Sequence, residues 1–316
     1  MVISIIIINY NLADQVANCI NSLLKHCNSD GFEIILLENG STENPIYDLV
    51  NQLKSQPNLK LKFIESKTNL GFGQACNLAA ENADNEVLFF LNPDTIIENN
   101  LIEKINSTII PQFYTSNFIA GLKVNSTKFF DFSAGFFPNF LFEVLNIFLI
   151  GRFIEAFIIK LMSYFSKEEI IIDWVMGSAF IIRKDLFNKL SGFAPEFFLY
   201  FEEMDLCKRA KKLKFTIKYF HRISVNHLGS VGSKKDYYFF TKMFYKGKLL
   251  FLKKHNSKFS FEGYKIILKC QFHSQILFWK LFYNGSSKIA SNKIKAFKEL
   301  LNYLNYPENI SNNLNA

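Results

Sequence analysis

Four stretches of strand character fill the first ninety residues, and each stops on a polar tip. They cover residues 2–8, 32–37, 59–66 and 86–91; three are apolar runs, and LKLKFIES (59–66) alternates. Short apolar runs rich in β-branched residues read as buried strands. The intervening segments, 12–27, 45–55 and 69–83, read as helices, the last entered through a Gly-rich turn. Strand and helix in alternation leave few options. The expected class is α/β, a mainly parallel sheet with helices on both faces. In such sheets ligands bind outside the carboxyl ends of the strands.

The polar tips are therefore the candidate site. They are Asn9-Tyr10-Asn11, Glu38-Asn39-Gly40-Ser41, Asn69 to Gly73, and Asn92-Pro93-Asp94. In VLFFLNPDT (87–95) a core run delivers a carboxylate, Asp94, to that edge. A carboxylate so placed suits Mg²⁺ or Mn²⁺, hard cations that complete their shell with phosphate oxygens and water. The same tripeptide is also ordinary turn chemistry. Glu38 can accept from a ribose hydroxyl or a base N–H, and Asn39-Gly40-Ser41 can equally form a tight capped turn. In NLGFGQACN, Gly71 and Gly73 admit a ligand close to the backbone, and the helix start offers free N–H groups. With Cys76 in place of the third glycine it is not a dinucleotide fingerprint, and it lacks the Lys of a phosphate loop.

Two more features carry chemistry. Glu202, Glu203 and Asp205 put three carboxylates within four residues after FFLYF. Crowded carboxylates raise one another's pKa, which makes a better general base near neutral pH. As an acidic first helical turn they would instead serve the helix dipole. His227 matters only if it faces Asp94.

Beyond residue 135 the pattern is less regular. Residues 136–165 are strongly apolar and read as one or two amphipathic helices. Strand character resumes at 171–182, and 201–213 is a helix with an acidic start and a basic end. Residues 236–254, 260–283 and 288–305 are expected helices, and 312–316 an expected frayed end. The five cysteines are scattered and odd in number, which argues against a disulfide framework or zinc site and for a reducing compartment. No signal peptide is expected, and no stretch of about 18 uncharged apolar residues reads as a membrane span.

Charge is divided unevenly. Residues 1–205 hold 14 Lys and Arg against 24 Asp and Glu, a balance of −10; residues 206–316 hold 22 against 4, a balance of +18. A basic segment on an acidic body seeks an anionic partner. Nucleic acid is disfavoured, because the aromatics of this segment sit among aliphatics at helical spacing rather than as a stacking platform.

In order, SIIIINYN, LLENGSTE, TNLGFGQACNLA, FLNPDT, DWVMGSAFIIRKDLF, SGFAPEFFLYFEEMDLCKRAKK and VNHLGS resemble family 2 glycosyltransferases of the GT-A fold, in the rhamnosyltransferase-like branch of bacterial surface-polysaccharide synthesis. The resemblance spans roughly residues 3–255. It implies a Rossmann-like mixed, mainly parallel sheet in a domain over 1–235, with an apolar helical insertion at about 136–165 and a basic helical extension over 236–316. It implies an inverting, metal-dependent transfer from a nucleotide-sugar donor to a glycan or lipid-linked acceptor. Asn9, Tyr10, Asn11, Glu38, Asn39, Ser41, Asn69, Gly71, Phe72, Gly73, Asn77, Asn92 and Pro93 would line the donor pocket. Asp94 and His227 would hold the Mg²⁺ or Mn²⁺. Trp174 and Gly177 would shape the acceptor side. Glu203 would be the general base within the cluster Glu202, Glu203 and Asp205.

The chain departs from the family where Glu38 and Glu203 replace the usual Asp, and where Ala194-Pro195 replaces Asp-Glu. These changes support an alternative, a nucleotide-sugar-binding module with impaired catalysis. The expected location is cytoplasmic, on the inner face of the membrane if residues 136–165 and 260–283 contact an anionic bilayer. The competing expectation is that those segments pack internally or form a homodimer interface.

Overall fold

The computed structural model describes residues 3–28, 31–56, 58–125, 133–148, 150–227, 236–282 and 287–305. The expected frayed end at 312–316 and the expected boundary at 235 lie outside them. The contacts divide the chain into two compact units. The first comprises Met1–Gly135, Ile159–Pro195 and Glu203–Gly229; the second comprises Phe136–Ile158, Glu196–Glu202 and Ser230–Ala316.

The first unit is built on strands β1 (Ile3–Asn9), β2 (Phe32–Asn39), β3 (Leu61–Ser66), β4 (Val87–Leu91), β5 (Thr95–Ile96), β6 (Phe118–Asn125), β7 (Ala134–Gly135), β8 (Ile170–Ile171), β9 (Trp174–Val175), β10 (Ala179–Arg183) and β11 (Thr216–His227). The main sheet runs β3-β2-β1-β4-β10-β6-β11-β5, with β8 beside β11, while β7 and β9 form a separate ribbon. Pairings β1–β2, β1–β4, β2–β3 and β6–β11 are parallel. β10 runs antiparallel to both β4 and β6, which makes the sheet mixed.

Helices α1 (Ala13–His26), α2 (Tyr47–Lys54) and α3 (Phe72–Glu81) connect the first four strands. Side chains alternate across a strand, so Ile3, Ile5 and Ile7 join Val16, Ile20 and Leu23 of α1 in one core. The opposite face stacks Phe90 on Phe180, ring centroids 4.6 Å apart, with Phe187 and Phe193 against them. The small residues Ala75, Cys76, Ala79 and Ala80 are the buried stripe of α3. All five cysteines are free, and four are buried.

The structure adds elements at 101–125 that the sequence reading passed over. They are α4 (Leu101–Lys104), a π-helical turn (Ile105–Ile109), α5 (Ile110–Phe113) and β6. The single expected strand at 171–182 is three short ones, β8, β9 and β10. Two further helices follow in this region, α8 (Lys184–Lys189) and α9 (Glu202–Lys212).

The apolar stretch 136–165 forms two helices, α6 (Phe140–Ile147) and α7 (Gly151–Phe165). The rest of the second unit is α10 (Tyr237–His255), α11 (Lys258–Phe282) and α12 (Lys288–Asn305). Leu249, Leu252, Phe261, Tyr264, Leu268, Phe272, Phe297, Leu300 and Leu304 make a core of their own. The aromatics of the basic segment therefore largely bury one another. The α6 helix packs on α11 through Phe140 stacked on Tyr264 at 4.2 Å. Among the described residues, no helix is long and apolar enough to cross a membrane.

Candidate functional site

The tips of β1 and β2 are joined by a hydrogen-bond network around Glu38. This side chain is 1% exposed. Its Oε2 accepts from Asn9 Nδ2 at 2.8 Å and from the Ile46 backbone N–H at 3.1 Å. Its Oε1 accepts from the Ser41 backbone N–H at 3.0 Å and from the Ser41 hydroxyl at 2.5 Å. A carboxylate has about four lone-pair positions, so internal donors fill Glu38. Ser41 Oγ also accepts from the Asn11 N–H at 2.8 Å, and Asn11 Oδ1 accepts from the N–H groups of Thr42 and Glu43, both at 2.9 Å. Asn9, Asn11, Glu38 and Ser41 thus shape the loop. Tyr10, between them, is 42% exposed.

The Gly-rich turn is tied to the same edge. Asn39 Nδ2 donates to Asn69 Oδ1 at 3.1 Å and to the Gly71 carbonyl at 3.3 Å, while Asn39 Oδ1 accepts from the Leu70 N–H at 3.0 Å. Gly71 has φ +78° at the start of α3, a conformation that favours glycine. Gly40 has φ +70°, and a Cβ there would sit 2.6 Å from the Thr68 carbonyl carbon. Asn77 proves to be a clamp on the chain: its Nδ2 donates to the Phe193 carbonyl at 2.9 Å, and its Oδ1 accepts from the Phe193 N–H at 2.8 Å.

Beyond β4 the chain turns at Asn92, half-buried, and Pro93, buried. The Asn92 N–H donates to the Ser178 carbonyl at 2.9 Å, and its Nδ2 lies 3.1 Å from Ser178 Oγ. The Asn92 carbonyl accepts from Thr95 Oγ1 at 2.7 Å, closing the turn. β5 then pairs antiparallel with the end of β11, His227 opposite Thr95. That register brings His227 Nε2 to 3.1 Å from Asp94 Oδ1, with side-chain exposures of 15% and 9%. Of VNHLGS, only residues 225–227 are described.

The carboxylate cluster separates. Asp205 is fully buried and accepts from Arg209 Nε at 2.7 Å, while Arg209 donates onward to the Leu190 carbonyl and, at 2.8 Å, to the Gly192 carbonyl. Asp205, through Arg209, therefore anchors the 190–192 turn. Glu202 is 4% exposed. Glu203 is half-buried, and the residues ahead of α9, Tyr200 and Phe201, both have left-handed backbones with φ 71° and 72°. Non-glycine residues held so are strained, a feature that clusters at functional sites.

Gly177 and Ser178 link these pieces. A Cβ on Gly177 would stand 3.4 Å from the Phe72 ring and 3.8 Å from Glu203 Cβ, while Ser178 holds Asn92. One dipeptide therefore meets the Gly-rich turn, the Asn92 turn and Glu203. Trp174 is buried on β9, opposite Gly135. Sequence reasoning missed Ser178 and Arg209; a serine carries no signal of its partner, whereas Arg209 stands four residues after Asp205, the spacing of an ion pair on one helix face.

The profile of Glycosyl transferase family 2 matches residues 4–205. An uncharacterized glycosyltransferase, alr2836, of Nostoc sp. is 36% identical over 119 residues, 38% of this chain and 35% of that protein. The rhamnosyltransferase WbbL of Escherichia coli is 25% identical over 167 residues, 50% of this chain and 61% of that one. The matches thus span between a third and three fifths of those relatives. Among solved structures, the mannosyltransferase PcManGT from Pyrobaculum calidifontis, in complex with GDP-Man and Mn²⁺, has a TM-score of 0.57 at 11% identity, covering 97% of this chain and 87% of that one. That likeness bears on the fold and matches the expected GT-A-like sheet with added helices. With its strand tips, mixed sheet and family match over residues 4–205, the chain belongs to glycosyl transferase family 2.

Proposed function

We propose that this protein transfers a sugar from a nucleotide-diphosphate donor to an acceptor hydroxyl, with inversion at the anomeric carbon. The observation that carries the reading is the Gly177–Ser178 junction, which abuts Glu203 on one side and holds Asn92 on the other, while Asp94 of the same turn meets His227.

Among the described residues, no group of three His, Cys, Asp or Glu side chains converges. A carboxylate and an imidazole are nevertheless a fitting donor set for Mn²⁺ or Mg²⁺, which takes its other ligands from phosphate oxygens and water. Bound there, the cation would supply neutralisation of charge on the departing diphosphate. The chain's own groups do the rest. Glu203 accepts the proton of the acceptor hydroxyl as that oxygen attacks from the face opposite the leaving group. Tyr10 offers a ring to the base, the backbone at 69–73 approaches the donor, and Trp174 and Gly177 bound the acceptor side.

The match to a rhamnosyltransferase supports rhamnose as the transferred sugar; the donor we propose is a dTDP- or UDP-sugar, and the acceptor a glycan or lipid-linked glycan of a cell-surface polysaccharide. Thermal-shift screening against UDP-, dTDP- and GDP-sugars with and without Mn²⁺, followed by transfer and hydrolysis assays, tests this. One nucleotide class should raise Tm only with Mn²⁺ and be turned over. No shift with any donor would overturn the reading. Binding without turnover would leave the second reading, a binding module, which Glu203 in place of the family's usual Asp supports.

A further inference from the structure

We infer that the α6–α7 hairpin docks onto an anionic phospholipid surface. On α7 Ala156 and Ile159 are buried, but much of the hairpin's large apolar surface is not. On α6 the buried residue is Glu143, 3% exposed, which pairs with Lys248 of α10 at 2.5 Å. On α7, Glu155 turns inward to accept the Phe136 N–H at 2.6 Å. The outward side chains are instead Leu141 (66% exposed), Val144 (41%), Phe148 (69%), Ile150 (45%), Phe153 (48%) and Phe157 (61%). Isolated exposed apolar residues need no explanation, but a contiguous set along one hairpin marks an interaction surface.

The hairpin is held firmly in this orientation. Asn146 Oδ1 accepts from the Arg152 N–H at 3.1 Å, closing the turn between the helices. Ser274 Oγ of α11 donates to the Ile147 carbonyl at 2.7 Å. The outward face is therefore fixed by polar contacts behind it.

Charge selects the occupant. The exposed charged residues between 140 and 165 are Arg152 and Lys160, both cationic. The chain from 206 on carries +18. An apolar face whose exposed charges are both cationic complements an anionic bilayer, into whose headgroup boundary such helices sink side-on. A second copy would oppose the same cations across a two-fold axis. Neither helix can span a bilayer. The surface is independent of the proposed transfer reaction.

Flotation of the full-length protein with phosphatidylcholine vesicles, with and without phosphatidylglycerol, is the test. The wild type should float with the anionic vesicles. Leu141→Ser/Phe148→Ser/Phe157→Ser should weaken this about a thousandfold, since each large side chain contributes roughly tenfold. Arg152→Glu/Lys160→Glu should remove the dependence on phosphatidylglycerol. The serine variant should keep its Tm and donor binding, because the altered residues are exposed. A wild type that does not float, or a serine variant that floats equally, overturns the inference. A wild-type dimer made monomeric by the serine changes, without vesicle binding, would also overturn it and assign the face to a second copy.

Discussion

Asp94 and His227 lie 133 positions apart in the chain, yet their side chains meet at 3.1 Å because two-residue β5 zips against the last residues of β11. Neither residue is informative alone. The strand pairing supplies an acid–imidazole pair at the sheet edge, next to a turn that Ser178 fixes.

If this pair holds the cation, Asp94→Ala should lower turnover by about 10²–10³-fold, the range for removing one preorganised electrostatic contact. His227→Ala should weaken Mn²⁺-dependent stabilisation by the donor more than it lowers the melting temperature of the protein alone. Donor-dependent Tm with and without Mn²⁺ separates the two effects. An Asp94→Ala protein with normal kcat would remove Asp94 from the proposed role.

Glu203→Gln should cut kcat by about 10²–10⁴-fold, the usual contribution of a positioned general base, while leaving donor affinity in place. Glu203→Asp should recover part of the rate, because it restores the carboxylate at a position roughly an ångström away. Steady-state kinetics that show a rise in donor KM with unchanged kcat would give Glu203 a binding task instead.

Much of this was legible in the sequence, and the pattern of misses is physical. Continuous apolar runs and their polar tips located β1, β2 and β4, because period and length follow from burial on both faces of a sheet. The split of 171–182 into three strands was hidden, since residues 173–178 carry no breaker beyond Gly177. The strand tips were located by position, but the partners their side chains take were not. Asn77 and Glu38 have side chains suited to a ligand, and they bond to Phe193 and Asn9, both remote in sequence, whereas Asp205 pairs with Arg209 one helical turn on. Remote partnerships are set by tertiary geometry, to which a single sequence gives no access. The exposed apolar face of 140–157 is a further case: the sequence showed that the segment was apolar, and only the fold showed which side was buried.

Glu38 is filled by four donors, so its replacement should act on the fold of the loop before it acts on chemistry. Glu38→Ala takes the acceptor from the Ile46 and Ser41 N–H groups, while Asn9 Nδ2 keeps Ser41 Oγ at 3.0 Å, and should cost about 2–4 kcal/mol, more than one ordinary hydrogen bond is worth. Glu38→Asp, the family's usual residue, is one methylene shorter and would not reach Ser41 and Ile46 together; it should lose less stability while opening the pocket. Urea unfolding with unchanged m-values checks the order of wild type, Asp and Ala.

Glu155 makes stability depend on pH. Burial raises its pKa above the ordinary 4.5, and this outweighs the Phe136 N–H and the nearby Arg152, which favour the charged form. In the window from 4.5 up to the raised value, the folded protein binds more protons at this group than the unfolded chain does. Unfolding free energy therefore falls as pH rises through it. The favourable contribution is complete below 4.5 and is lost above the folded-state value, where the carboxylate ionises while buried. Glu155→Gln keeps an acceptor for the Phe136 N–H and removes the ionisation. The variant should be more stable than the wild type at pH 7, and the difference should shrink as pH falls towards 4. Melting curves of both proteins across that range decide the matter, and a difference that stays constant with pH would show that Glu155 does not titrate there.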